Sequence, residues 1–257
     1  MRNIAVVLAG GTGSRMGSPV PKQFMQLQGR AVIEYPIETF DRHEAVDEVA
    51  VVVHPDWRGE MEAIMGRNGW KKLTRVIDGG SERYMSTLNA VMAYIDYPDD
   101  TNLLLHDAAR PWVSAAIVDR VVAALERHEA VGVAIPSTDT VWEVRSSYEL
   151  GIMSDELAAA SNDSSLIAHH SSFIARIPER RLMWRAQTPQ AFRLALIRDA
   201  YQRALQDPQF RATDDCGVVR RYMPEVKIAV VEGEEMNMKI TYNQDIELLA
   251  KQTANHG

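Results

Sequence analysis

Several glycines and two cationic residues follow the first apolar run of the chain, residues 4–8. The glycines are Gly10, Gly11, Gly13 and Gly17. A glycine backbone turns sharply and lets N–H groups come close to a phosphate. Arg15 and Lys22 add two positive charges to the same segment. These residue types at this spacing predict a site for the triphosphate of a nucleotide.

Two better-known phosphate-binding loops do not match this segment. A P-loop requires Gly, four residues and then Gly-Lys-Ser/Thr, and no glycine here has Gly-Lys at that spacing. The dinucleotide fingerprint Gly-x-Gly-x-x-Gly begins at Gly11 and Gly13, but Met16 occupies its third glycine position. A P-loop ATPase and a Rossmann dehydrogenase are therefore disfavoured. A plain strand-to-helix turn is the structural alternative, but it does not explain the two cations.

Apolar runs alternate with helical patterns along the chain, which indicates an α/β fold. The strand-like runs cover residues 4–9, 48–53, 73–77, 102–106, 130–135 and 226–231. The helical patterns cover residues 31–42, 56–67, 82–95, 115–128, 193–206, 213–222 and 243–252. This order predicts a Rossmann-like, mostly parallel twisted sheet with helices on both faces. Because ligands bind beyond the carboxyl ends of such strands, the glycine segment, the turn at 78–80 and Asp107 should meet at one edge.

Composition narrows the class of protein. With 257 residues the chain can bury a core without disulfides, and its single cysteine, Cys216, is expected to pack as a small apolar residue. A net charge of −7 argues against a nucleic-acid-binding protein. We expect no signal peptide, no membrane segment and a cytoplasmic location.

The segment Leu8–Gly17, followed by Pro21-Lys22-Gln23-Phe24, resembles the signature of sugar nucleotidyltransferases. The Pro-Lys-Gln ending is similar to the cytidylyltransferase branch, which includes the 2-C-methyl-D-erythritol 4-phosphate and the ribitol-5-phosphate cytidylyltransferases. Further segments agree with the family and occur in its order. They are residues 78–83, 106–111, 186–192, and 231–233 leading to 237–241. The resemblance thus spans nearly the whole chain.

The resemblance implies transfer of CMP from CTP to a polyol phosphate with release of pyrophosphate. The attacking phosphate oxygen is already ionised near neutral pH, so no general base is required. Catalysis should come from positioning and positive charge, supplied by Arg15 and Lys22. In the family, the lysine that matches Lys239 reaches the transferring phosphate. Mg²⁺ is implied because a triphosphate needs a hard cation.

The resemblance also implies which residues hold the nucleotide. They are Ala9, Gly10, Gly11, Gly13, Gly80, Ser81, Ser86 and Asp107. The positions around Gly80 and Ser86 should face the pyrimidine. Ser81 could instead be an ordinary helix N-cap. Asp107 could hold the metal, as in some related nucleotidyltransferases, with the CTP phosphates as the other possible ligands.

Another set of residues is expected to bind the polyol phosphate. They are Asp107, Arg110, Thr140, Arg180 and Thr188. The structural alternative for the first two is an ion pair that fixes the turn. In the family, residues corresponding to 137–183 form a protruding β-arm that reaches a partner subunit. The chain should therefore be one nucleotidyltransferase domain, residues 1–257, that forms a homodimer through this arm.

Several details depart from the family pattern or carry no site. Residues 148–172 are interpreted as an extra loop of the arm, in which His169 and His170 are solvated. Asp214 and Asp215 are expected to serve only helix capping and the helix dipole. The start Leu-Ala-Gly-Gly differs from the Pro-Ala-Ala-Gly common in methylerythritol enzymes and is closer to ribitol-type enzymes.

Methylerythritol phosphate is the favoured substrate, in isoprenoid precursor synthesis. The alternative is ribitol 5-phosphate, which would give CDP-ribitol for cell-wall or capsule polymers. A more remote alternative is a nucleotide-binding protein without catalysis. Loss of Arg15, Lys22 or Lys239 would have favoured it, but all three residues are present.

Overall fold

A computed structural model of the protein describes residues 1–11, 20–146, 172–212 and 214–254. The chain divides into two compact units. The larger unit comprises Met1–Ala134 and Ala186–Gly257, and the smaller unit comprises Ile135–Arg185. Residues 137–183, for which an arm was predicted, fall within the smaller unit, and their role as an arm stays a prediction.

A seven-stranded sheet forms the centre of the larger unit, with the strand order β11-β7-β10-β6-β1-β4-β5. The strands are β1 Asn3–Ala9, β2 Gln26–Leu27, β3 Arg30–Ala31, β4 Glu48–Val53, β5 Leu73–Asp78, β6 Asn102–Asp107, β7 Ala130–Pro136, β8 Glu143–Ser146, β9 Ser172–Arg176, β10 Trp184–Arg193 and β11 Ile228–Glu232. The pairs β6-β1, β1-β4, β4-β5 and β11-β7 are parallel, whereas β10 runs antiparallel to β6.

Helices cover both faces of this sheet. They are α1 Glu34–Arg42, α2 Arg58–Asn68, α3 Arg83–Ala93, α4 Ala115–Leu125, α5 Leu194–Ala204, α6 Asp215–Tyr222 and α7 Asn243–Ala254. Successive residues of a strand point to opposite faces. Accordingly, Ala5 and Val7 of β1 pack in a core with α1, α2 and α4, while Ile4 and Val6 pack in a second core with α3, α5 and α6. The predicted α/β fold with a mostly parallel, doubly covered sheet is confirmed.

Strand β10 is the main element that the sequence pattern missed. Its residues Gln187, Thr188 and Gln190 are buried, although the strand contains Pro189 and many polar side chains. Proline and polar residues usually mark a turn or an edge rather than the interior of a sheet. Here β10 nevertheless lies between β6 and β7. The buried amide and hydroxyl groups of β10 form hydrogen bonds with neighbouring segments of the chain.

The smaller unit contains the antiparallel pair β8-β9, in which Val144 lies opposite Ile174. A short 3₁₀ helix follows at Arg180–Leu182. Most of the predicted extra loop at 148–172, namely 148–171 with its two histidines, lies outside the described residues. In the described ranges, no helix is both long and apolar enough to cross a bilayer.

Candidate active site

The predicted meeting of strand ends at one edge of the sheet is confirmed. Leu8 in β1 lies opposite Asp107 in β6, and Ala9 lies opposite Val53 in β4. Val53 in turn lies opposite Asp78, the last residue of β5. Because these strands are parallel, the segments that leave them start side by side.

The base of the glycine segment is held by a buried amide. The Gln23 Nε2 atom donates to the carbonyl oxygens of Ala9 at 2.7 Å and Gly11 at 2.8 Å. The next residue, Phe24, stacks on Trp57 with ring centroids 5.0 Å apart. Gln23 and Phe24 thereby fix the short helix Lys22–Phe24 against the strand end. Gly13 and Arg15, two further expected site residues, lie outside the described residues.

The first glycine pair and the turn after β5 are in direct contact. A Cβ atom on Gly10 would lie 2.4 Å from the Ser86 Oγ atom, and one on Gly79 would lie 3.1 Å from the Gly10 Cα atom. Ser86 is buried, and its Oγ accepts from the Gly80 backbone N–H at 3.3 Å. Two backbones and one hydroxyl therefore form one narrow wall.

Ser81 has a different position from the one expected of a helix cap. Helix α3 begins at Arg83, its N-cap residue is Glu82, and no side chain caps it. Ser81 is exposed, and its Oγ lies 3.1 Å from the Met85 Sδ atom. The N-cap alternative for Ser81 is therefore wrong, because Ser81 lies one residue too early.

Two lysines that are far apart in sequence lie on neighbouring segments. Lys22 donates through Nζ to the carbonyl oxygen of Ile240 at 3.0 Å. The preceding residue, Lys239, donates through Nζ to the Asp107 Oδ2 atom at 2.7 Å. The structure thus brings two of the three proposed cations to the carboxyl edge of the sheet.

Asp107 is the anionic centre of this edge and is almost completely buried. Besides Lys239, it faces Arg83 Nε at 3.5 Å and Arg110 Nε at 3.9 Å. Burial alone would raise the pKa of Asp107, but Arg83, Lys239 and Arg110 hold it far below its usual range. The expected Asp107–Arg110 ion pair is present, but it is the longest of the three contacts.

Arg110 connects the turn after β6 to the segment that carries Lys239. Its Nη1 donates to the carbonyl of Asn237 at 2.7 Å, and its Nη2 donates to that of Ala186 at 3.3 Å. The fully buried Asn237 amide donates in turn to the Thr188 carbonyl at 2.8 Å. Burial lowers the pKa of Arg110 from its usual value. Arg110, Asp107 and Thr188 therefore lie together, as predicted.

The Thr188 hydroxyl and the His106 ring belong to a buried chain of hydrogen bonds, in which the donor and acceptor of each bond can be assigned. The His106 Nε2 atom lies 3.0 Å from the Arg110 carbonyl, which can only accept, so Nε2 carries the proton. The unprotonated Nδ1 then accepts from Thr188 Oγ1 at 3.1 Å. That Oγ1 accepts from the Asp107 backbone N–H at 3.1 Å. Burial lowers the pKa of His106 to about 4, so the ring is neutral near pH 7.

Arg83 and Asp215 form an ion pair beside Asp107, and the sequence pattern predicted no role in the site for either residue. Arg83 Nη1 lies 2.8 Å from the Asp215 Oδ2 atom. Asp214 caps α6 as expected, accepting from the Gly217 N–H at 2.7 Å. The expectation that Asp215 serves only the helix dipole is wrong, because its fully buried carboxylate binds Arg83. The usable signal was the position of Arg83 at the end of the matched segment 78–83.

Two residues of the proposed polyol-phosphate set belong to the smaller unit. Thr140 is exposed there, and Arg180 is exposed with its Nη1 3.4 Å from the Thr138 carbonyl. In the described part of the chain, no group of three or more His, Cys, Asp or Glu side chains could hold a metal ion. Asp107 could therefore offer a metal ion one carboxylate. Lys239, Arg83 and Arg110 lie around that carboxylate.

The fold and this edge define a class. A mostly parallel sheet ends in a glycine wall and a cluster of cations, which is the arrangement of an α/β nucleotidyltransferase. The sequence model of the 2-C-methyl-D-erythritol 4-phosphate cytidylyltransferase (IspD) family matches residues 3–152 and 149–253. The chain belongs to this family of CTP-dependent cytidylyltransferases, and it is an enzyme.

Individual relatives agree with this assignment. The chain is 43% identical over 245 residues to the 2-C-methyl-D-erythritol 4-phosphate cytidylyltransferase of Thermobifida fusca, covering 95% of this chain and 90% of that one. It is 35% identical over 245 residues to a bifunctional ribulose 5-phosphate reductase/CDP-ribitol pyrophosphorylase of Haemophilus influenzae. This match covers 95% of this chain and 47% of the bifunctional protein. Among solved structures, the 4-diphosphocytidyl-2C-methyl-D-erythritol synthase of Anaerococcus prevotii is similar, with a TM-score of 0.77, 26% identity and 98% coverage of both chains.

Proposed function

We propose that the protein transfers CMP from CTP to 2-C-methyl-D-erythritol 4-phosphate and releases pyrophosphate. The observation that carries this proposal is the placement of Lys22 and Lys239 on adjacent segments beside the glycine wall. Two anions must meet in this reaction, and negative charge moves onto the leaving pyrophosphate. Fixed cations are the groups that lower this barrier.

We assign the site residues the following roles. Ala9, Gly10, Gly11 and Gly13 offer backbone groups to the triphosphate, and Gly80, Ser81 and Ser86 face the pyrimidine. Lys22 and Arg15 neutralise the α-phosphate and the departing group. Lys239 turns from Asp107 to the transferring α-phosphate of CTP. Asp107 and Arg110 orient the substrate hydroxyls and phosphate.

Mg²⁺ is proposed as a companion of CTP rather than as a resident ion of the protein. Mg²⁺ usually keeps several waters and binds phosphate oxygens together with one or two carboxylates. Asp107 would supply one carboxylate oxygen to such an ion, and the CTP phosphates and water would supply the other ligands. When bound, the ion would supply charge for the triphosphate. Binding and positioning remain the task of the side chains named above.

The choice of polyol phosphate rests on the relatives. The relative at 43% identity bears the methylerythritol name, while the ribitol-related relative matches at 35%. Ribitol 5-phosphate is the second candidate, because that match covers 95% of the chain and the Leu8–Gly11 start resembles ribitol-type enzymes.

A homodimer through the smaller unit is part of the proposal. Val144 and Ile174, which pair across β8 and β9, are 51% and 50% exposed, and Trp142 is 57% exposed. Val144 and Ile174 form an exposed apolar patch across the two strands, and such a patch is typical of a protein interface. In such a dimer Thr140 and Arg180 of one subunit would serve the polyol site of the other.

A pyrophosphate-release assay tests the function. CTP, ATP, GTP and UTP are each offered with methylerythritol phosphate, ribitol 5-phosphate and a hexose phosphate. We expect release with CTP and methylerythritol phosphate at a kcat/KM well above that of every other pair. A higher value for ribitol 5-phosphate would assign the second candidate, and no release with any CTP pair would reject the proposal.

A further inference from the structure

Two carboxylates share one guanidinium beside the active site. Arg83 extends from the first turn of α3, with Nη1 2.8 Å from Asp215 and Nε 3.5 Å from Asp107. Asp215 is completely buried, and its other carboxylate oxygen accepts from the hydroxyl of the buried Tyr201 at 2.6 Å. Arg83 is therefore fixed at one end and faces the catalytic edge at the other.

The strand next to β6 holds the start of α6 in place. Gln190 of β10 donates through Nε2 to the Asp214 carboxylate at 2.8 Å, and its Oε1 accepts from the Cys216 N–H at 2.9 Å. Gln190 also pairs with Leu105 of β6, two residues before Asp107. The positions of Asp215 and Asp107 are thus coupled through one short stretch of backbone.

The balance of charges around Asp107 and Asp215 explains why Arg83 matters in addition to Arg110. In the structure, Lys239, Arg83 and Arg110 surround two carboxylates, Asp107 and Asp215. If Lys239 turns to a substrate phosphate, two guanidiniums and two carboxylates are left, and their charges cancel. Without Arg83, a buried carboxylate would keep Lys239, because an unpaired buried charge is strongly disfavoured.

We propose that Arg83 and Asp215 form a positioning pair, which compensates Asp107 so that Lys239 is released to the transferring phosphate. This inference rests on the proposed function of Lys239. Neither residue needs to touch CTP or the polyol, since both act through Asp107 and Lys239. Their removal should therefore lower kcat more than it changes KM for CTP.

A double-mutant cycle between Arg83 and Lys239 tests the inference. Arg83→Gln should lower kcat about tenfold or more in the wild-type background but less than about twofold in Lys239→Ala, because its effect passes through Lys239. KM for CTP should change less than about threefold. Arg83→Lys, which retains a cation, should recover part of the loss. Asp215→Asn should cost no further activity once Arg83→Gln is present.

The chain provides a matched control for this cycle. Glu48 is also buried and also binds an arginine and a tyrosine, with Arg75 Nε at 3.2 Å and the Tyr94 hydroxyl at 2.9 Å. It lies at the opposite end of β4 from the active site. Arg75→Gln should lower the melting temperature but leave kcat within about twofold in both backgrounds.

The outcomes separate the two levels of the proposal. If the wild-type enzyme is active and Arg83→Gln lowers kcat by the same factor in the wild-type and Lys239→Ala backgrounds, the positioning pair is overturned. The cytidylyltransferase function would then still stand. A rise in KM for CTP with unchanged kcat would also overturn it, because Arg83 would then bind nucleotide directly. A wild-type protein that releases no pyrophosphate with CTP would overturn the proposed function and the inference with it. Arg83→Lys keeps a cation beside the buried Asp215, so it provides a folded variant for the cycle even if Arg83→Gln or Asp215→Asn does not fold.

Discussion

The Lys22 ammonium lies 3.0 Å from the carbonyl oxygen of Ile240, although 218 positions separate the two residues. Ile240 follows Lys239 directly, so this single hydrogen bond joins the glycine segment to the second lysine. The bond also orients Lys22 at the carboxyl edge of the sheet. A lysine held in this way is ready to meet a phosphate without a further ordering cost.

Replacement of Lys22 by alanine should therefore affect catalysis and leave folding nearly unchanged. We expect kcat to fall by roughly two to three orders of magnitude, the effect of removing one preorganised charge-stabilising group. The melting temperature should move by less than about 3 °C. Lys72→Ala is the matched control, because Lys72 Nζ also donates to a backbone carbonyl, that of His43 at 2.6 Å. Parallel losses of activity and stability in Lys22→Ala would show that Lys22 is only structural.

Substitution of Gly10 tests the narrow wall. In Gly10→Ala the new methyl would lie 2.4 Å from the Ser86 Oγ atom, so either the turn or the serine must move. We expect a loss of about 1–3 kcal/mol in the free energy of unfolding and weaker CTP binding by calorimetry. Adding Ser86→Ala should restore much of the stability, because the next contact, to the Ser86 Cβ, is 3.4 Å.

Gly66→Ala serves as the control for this experiment. Gly66 lies in α2, and nothing would lie within 4 Å of its Cβ. The substitution should raise the free energy of unfolding by about 0.5–1 kcal/mol without affecting CTP. If Gly10→Ala is as well tolerated as Gly66→Ala, the wall does not have the close contacts described.

The sequence predicted which strand ends meet at the edge of the sheet but not which charged side chains pair there. Apolar runs and turn glycines located β1, β5 and β6, and therefore Gly10, Gly80 and Asp107. The position of Lys239 depended on the resemblance, since no local pattern marks it. The Arg83–Asp215 pair joins helices that are 132 residues apart, so it depends on tertiary topology. Strand β10 was missed because its buried polar side chains bond across the structure rather than along the strand.

Buried His106 makes stability depend on pH. Its pKa is about 4 in the folded protein and is expected near 6.5 in the unfolded chain, so the unfolded state binds the additional proton between these values. The contribution of neutral His106 to the free energy of unfolding is fully present above about pH 6.5. As the pH falls toward 4, the free energy of unfolding decreases by on the order of 3 kcal/mol. Urea unfolding at pH 7.5 and 5.0 should show a smaller difference in His106→Gln than in the wild type. An equal difference would mean that His106 is not buried in the neutral form.

Complementation between inactive variants tests the shared polyol site. Lys22→Ala and Arg180→Ala should each be inactive, and a mixed dimer should regain activity, because one of its two sites would contain neither substitution. Lys22→Ala mixed with Lys239→Ala is the negative control, since both residues belong to the larger unit. No recovery in a purified mixed dimer would mean that Arg180 serves its own subunit or no site.

In the proposed reaction, a phosphate oxygen of the polyol phosphate attacks the α-phosphate of CTP within this cluster of cations. Oxygen-18 in the phosphate of methylerythritol phosphate, followed by ³¹P NMR, tests it most directly. All labelled oxygens should be found in the CDP-polyol product, and none in the released pyrophosphate. Label in pyrophosphate or in water would show that a different bond is broken and would contradict the account.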